Sequence, residues 1–197
     1  VTHEACFSTN LVTMGASSLC PNGQLFQFGP GAAAPCVNGC EHGTHVAGIA
    51  AGNDGVKFGI ARDAQIMAIQ VFTRVDDVDI CGVNDNPCNL AFTSDIISGL
   101  EHVFEQRNSF NISAVNMSLG GGRFSNICDT EESATTAAIN QLLLADIPTV
   151  IASGNESFTD SISAPACISS AISVGATDDF DNVASFSNSA QILDLLA

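Results

Sequence analysis

The sequence predicts an α/β fold of three layers: a mostly parallel sheet with helices on both faces. Three observations carry that expectation. Short apolar runs suited to buried strands alternate with amphipathic helical stretches. The strand–helix–strand–helix–strand spacing leaves room for crossover connections, which parallel neighbours require. The balance of 46% hydrophobic against 13% charged residues is that of a packed domain and excludes a disordered chain.

Residues 1–41 show no period; Gly, Pro, Ser, Asn and Cys are scattered through them. Val46 to Ala51 is a compact run of small apolar residues and predicts a buried helix, with His42 at its N-terminal side. Residues 64–73 (AQIMAIQVFT) predict one buried strand. Residues 75–93 carry Asp76, Asp77, Asp79, Asp85 and two Cys, which fits a surface excursion. Asp95 to Arg107 reads as a helix. Ile96, Ile97, Leu100, Val103 and Phe104 share one face, and Ser98, Glu101 and Glu105 share the other.

Asn111 to Leu119 predicts the next strand. Asp129 with Glu132 three residues on has the pattern of a capping box, opening a helix that Pro148 prevents from continuing. Pro148 to Ser153 and Ala171 to Ala176 predict two further strands. No internal repeat or linker is visible, so residues 1–197 are expected to be one domain: an irregular Cys-rich segment at 1–41 and a core at 42–197.

Charge narrows the partners. Twenty-one Asp and Glu face five Lys and Arg, a formal net charge of −16. Five cations cannot line a surface that releases counterions from a nucleic acid, and an anionic membrane would repel the chain. Neither partner is expected. No apolar run approaches the roughly 20 residues that span a bilayer.

Eight Cys (6, 20, 36, 40, 81, 88, 128 and 167) point to an oxidising, extracellular setting and a disulfide framework. Zinc is the competing reading. No pair has the C-x2-C spacing, and Cys36 with Cys40 is not followed by a second such pair. Among the possible bridges the short Cys81–Cys88 loop is the simplest to defend.

Two local patterns carry chemistry. His42 opens HGTHVAGIAAG at 42–52. At a helix N-terminus the dipole disfavours imidazolium, so the ring stays neutral and able to act as a base. Gly43 leaves space beside the ring, and His45 lies one turn on. An H-E-x-x-H pattern, which a zinc peptidase would need, is absent. The second pattern is IASGN at 151–155, where a strand runs into Gly154 and Asn155 stands past its carboxyl end. In open parallel sheets ligands bind at that edge, and an Asn amide there can donate to a developing oxyanion.

Taken together, HGTHVAGIAAG, NMSLGG at 116–121, ASGNE at 152–156, SVGATDDFDNVASFSN at 173–188 and LDLLA at 193–197 resemble, in order, segments of the subtilisin-like serine peptidases, the subtilases. The likeness runs from about residue 42 to the end. It implies a subtilisin-like fold, incomplete here, and a secreted serine endopeptidase that forms an acyl-enzyme. By that likeness His42 is the catalytic base and Asn155 the oxyanion donor, while Ser118, Leu119, Gly120, Ala152, Ser153 and Gly154 flank the first specificity pocket. Substrates are proteins or peptides, a monomer is expected, and the chemistry requires no cofactor. Calcium bound in surface loops is a family property, for which residues 76–85 and Asn53–Asp54 offer oxygens.

The departures are equally specific. The family's Asp stands in a D-[ST]-G context before the His, yet the first Asp here is Asp54. Its nucleophile stands in a G-T-S-x-A context, and no such run occurs in these residues. The 197 residues are therefore expected to be an internal piece of a catalytic domain, inactive alone. Ser118 and Ser153 lack a nucleophile-elbow context. The alternative is a catalytically dead subtilase-like domain that serves binding or structure. Sequons occur at Asn111, Asn116 and Asn155; the last two fall in a predicted strand and in the site, and are read as accidental.

Overall fold

The computed structural model describes residues 1–35 and 40–197. Cys36, half of the C-x3-C spacing, lies outside the described residues. The chain forms two compact units, Val1–Gly99 and Leu100–Ala197.

The first unit begins with β1 (His3–Phe7), β2 (Ala16–Ser18) and β3 (Phe26–Phe28), so the aperiodic N-terminal segment is not without structure. Strands of three to five residues are too short to display alternation in sequence. Then come α1 (His42–Ala51), β4 (Met67–Gln70), β5 (Phe72–Val75), the single-turn α2 (Val78–Cys81) and β6 (Cys88–Ala91). The next helix, α3 (Thr93–Gln106), contains the division between the units. One sheet has the order β3-β1-β4, with β1 parallel to β4; the other, β2-β5-β6, is antiparallel.

The expected single strand at 64–73 is thus two strands in different sheets. The Gln70 side chain explains the break. Its amide nitrogen donates to the Phe72 carbonyl (2.8 Å), and its oxygen accepts from the Phe72 N–H. A local side-chain bridge of this kind takes the place of ladder bonds across Val71.

The helix expected to be buried is not: α1 contains no buried residue, and Ile49 is 70% exposed. Val46, Ala47, Ala50 and Ala51 are half-buried. Apolar patterning states what a face would gain from cover, and the described residues supply that cover only in part. The faces of α3 are as expected, with Leu100 and Val103 buried and Glu101 and Glu105 exposed.

The second unit holds β7 (Val115–Met117), β8 (Gly121–Phe124), α4 (Ser133–Leu143), β9 (Thr149–Ala152), β10 (Ile162–Ala164), β11 (Ile172–Gly175) and β12 (Leu195–Leu196). Four of these make an all-parallel sheet, β12-β11-β9-β7, as the α/β expectation requires. Ile151 is opposite Met117 on one side and Ser173 on the other. Helix α4 packs on β9 and buries Ile139 and Leu142. The antiparallel pair β8–β10 stands beside that sheet in sequence but not in it.

Two local expectations fail here for visible reasons. The strand predicted over 111–119 is only three residues long, because its ladder with β9 begins where the Val115 N–H meets the Pro148 carbonyl (2.9 Å). Asn116, within it, is exposed rather than in the core. The Asp129–Glu132 capping box does not form. Asp129 instead accepts from the backbone and hydroxyl of Ser169 (2.8 and 2.6 Å), and the helix starts at Ser133.

Three disulfides join described residues: Cys6–Cys20, Cys81–Cys88 and Cys128–Cys167. The short loop favoured from the sequence is among them. Both sulfurs of Cys128–Cys167 belong to fully buried residues, where they anchor the segment before α4 to the one before β11.

Candidate active site

Parallel strands β7 and β9 are neighbours in register, so the segments leaving their carboxyl ends emerge side by side. Those segments are Ser118–Gly120 and Ser153–Asn155. The structure therefore brings together, within one unit, all six predicted substrate-binding residues and Asn155. Gly120 approaches the next strand closely; a Cβ there would press on the Ala164 carbonyl oxygen. Ser118 accepts from the Asn116 side-chain amide at 3.0 Å.

Ser153 is buried, and its hydroxyl donates to the Asn188 carbonyl (2.8 Å). A hydroxyl spent inward in this way is a poor nucleophile, in keeping with its sequence context. Gly154 has φ +111°, and a Cβ there would run into Asn188, Ser163 and Glu156 side-chain atoms. Only glycine fits both demands. Asn155 follows, exposed, with its backbone N–H donating to Glu156 Oε2 at 3.0 Å.

His42 belongs to the other unit. It is the first residue of α1, exposed, with its ring edge-on to Phe72 at 6.4 Å between centroids. Gly43 beside it faces open space, and His45 is exposed one turn on. Sequence reasoning missed the residue that organises the Asn155 loop, Asn188. A buried Asn acting over about thirty residues of separation leaves no local pattern. Asp95, read from the sequence only as a helix start, has a buried carboxylate that accepts from Thr9 N–H (2.8 Å) and Thr9 Oγ1 (3.1 Å).

The acidic segments are engaged in local turns and caps. Asp54 Oδ1 accepts from the Lys57 and Val56 N–H groups, and those bonds, the Lys57 bond first, hold its carboxyl below the usual carboxylate range. Asp77 caps α2, and Asp76 accepts from Asn86. Among the described residues no three His, Cys, Asp or Glu side chains converge as metal ligands. Nor is any helix among them long and apolar enough to cross a membrane.

A parallel sheet with two backbone segments and an exposed Asn at its carboxyl edge is the α/β arrangement in which ligands bind. The family comparison agrees: the model of the Subtilase family matches residues 30–197, and the chain belongs to that family. It is similar to Proteinase T of Parengyodontium album, 34% identical over 164 residues, covering 82% of this chain and 48% of that protein. It is also similar to the Extracellular serine proteinase of Thermus sp. (strain Rt41A), 37% identical over 168 residues, covering 85% and 34%. Among solved structures, that of a cold adapted subtilisin-like serine proteinase superposes with a TM-score of 0.58 at 29% identity, covering 79% of this chain and 48% of that one. The chain thus spans about half, or less, of the length of the relatives it matches.

Proposed function

We propose that these residues are part of the catalytic domain of a secreted serine endopeptidase, with protein or peptide substrates. One observation carries the proposal: a chain of the subtilase family presents Ser118–Gly120, Ala152–Gly154 and Asn155 on one strand edge. Extended peptide would add as a strand along these segments, its P1 side chain passing between their small residues.

In this reading His42 takes the proton from a serine hydroxyl as it attacks the scissile carbonyl, then returns it to the leaving amine. An aspartate would hold the other ring nitrogen. Both partners would lie outside these 197 residues, which contain neither D-[ST]-G before His42 nor G-T-S-x-A. Asn155 would donate its side-chain amide to the tetrahedral oxyanion. Removing that donor costs about 10²–10³ in kcat, a figure that belongs to subtilisin itself and is carried over, not worked out from this site. The chemistry so written needs no cofactor.

The extracellular reading is supported by three disulfides among the described residues and by the name of the Thermus relative. The test is hydrolysis of peptide anilides by the full-length protein. Turnover blocked by a serine-directed phosphonate and lost in Asn155→Ala supports the proposal; turnover insensitive to both refutes it.

A further inference from the structure

We infer that Asn188 is a positioning residue for the oxyanion donor, acting through the loop that carries Asn155; the inference rests on the function proposed above. Asn188 is fully buried although its side chain is a polar amide. Most of its hydrogen bonds are directed at one short segment, residues 153–158. Its Oδ1 accepts from the backbone N–H of Glu156 and of Phe158, both at 3.0 Å. Its Nδ2 donates to the Ser153 carbonyl (3.1 Å), to Ser163 Oγ (3.2 Å) and to Glu156 Oε2 (2.6 Å). Its own backbone N–H donates to the Gly154 carbonyl (3.0 Å), and its carbonyl accepts from Ser153 Oγ (2.8 Å).

Residues 153, 154, 156 and 158 are therefore all bound to one side chain or its backbone, and Asn155 is the residue framed between them. Glu156 Oε2 closes the frame, accepting from Asn188 Nδ2 and from the Asn155 N–H together. A donor that must be placed before charge develops gains from such a mount, because its orientation is then fixed in advance. A buried amide with both ends satisfied is suited to this, since any other loop conformation would leave its polar atoms unpaired.

The test uses the full-length protein with Asn188→Ala and Asn188→Asp. The first removes all the side-chain bonds. The second keeps the Oδ1 acceptor but sets a carboxylate oxygen against Glu156. Both are expected to lower kcat on a peptide anilide by about 10- to 100-fold while KM stays within about threefold. Exchange of the Asn155 amide proton should accelerate in both. A KM effect alone, or an unchanged Asn155 exchange rate, overturns the inference. Should either variant fail to fold, Glu156→Ala carries the same two readouts, since Glu156 is exposed and loss of its carboxylate acceptor opens the frame without emptying the core. Exchange is read without substrate. An inactive wild type with accelerated exchange in the variants would sink the peptidase proposal and leave the framing of Asn155 standing.

Discussion

Removing the Cys128–Cys167 bridge by a paired Cys→Ala substitution should cost more stability than removing either of the other two described disulfides. The magnitude follows from chain entropy in the unfolded state, which a crosslink restricts more as its loop lengthens. The separations are 39 residues for Cys128–Cys167, 14 for Cys6–Cys20 and 7 for Cys81–Cys88. These give about 4, 3 and 2 kcal/mol in turn. Burial sets Cys128–Cys167 and Cys6–Cys20 together above Cys81–Cys88, since Cys6 and Cys20 are buried too. Cys128 and Cys167 are fully buried, so their truncation also leaves a void, whereas Cys81 and Cys88 are half-buried. The assay is equilibrium urea unfolding of the full-length protein and the three paired variants, followed by far-UV circular dichroism. These residues contain no Trp or Tyr, so fluorescence would not report on them. Equal losses for all three pairs, or the largest loss for Cys81–Cys88, would refute the reasoning.

Gly154→Ala should be destabilising by about 1–3 kcal/mol from the backbone alone, with the clash against Asn188 and Ser163 added, and should lower kcat; thermal unfolding and anilide kinetics read both. Ile151→Ala, at the centre of the parallel sheet and 1% exposed, should lose about 2–5 kcal/mol in urea unfolding. The Asp160 carboxyl is held below the usual carboxylate range, first by its hydrogen bond from Arg123 (2.8 Å) and then by Ser161. Its contribution is therefore complete above the usual carboxylate range and is lost only as pH falls through the lowered value. Carbon-detected titration should find Arg123→Met returning Asp160 toward the usual range, and an unmoved titration would show that Arg123 is not the cause.

What the sequence made legible was what local pattern encodes. The parallel strands of the second unit, the amphipathic faces of α3 and the start of α1 at His42 all follow from periodicity, helix dipoles and apolar runs. That Ser118–Gly120 and Ala152–Gly154 flank a pocket is what family resemblance implies, and the strands leading into them, β7 and β9, are neighbours in register. The illegible parts are those decided by tertiary partners. Gln70 breaks a run that composition alone extends through Thr73. Asp129 satisfies Ser169 rather than a helix end, because the Cys128–Cys167 bridge brings the two segments together. The exposure of α1 could not be read from its apolar composition, and nothing local singled out Asn188 from the other Asn residues.

The proteolytic account is tested most directly by one substitution, His42→Ala, in the full-length protein assayed on a peptide anilide. The predicted result is a fall of about six orders of magnitude in kcat with little change in KM, a size that again comes from subtilisin itself. Turnover that survives the loss of this imidazole would contradict the account.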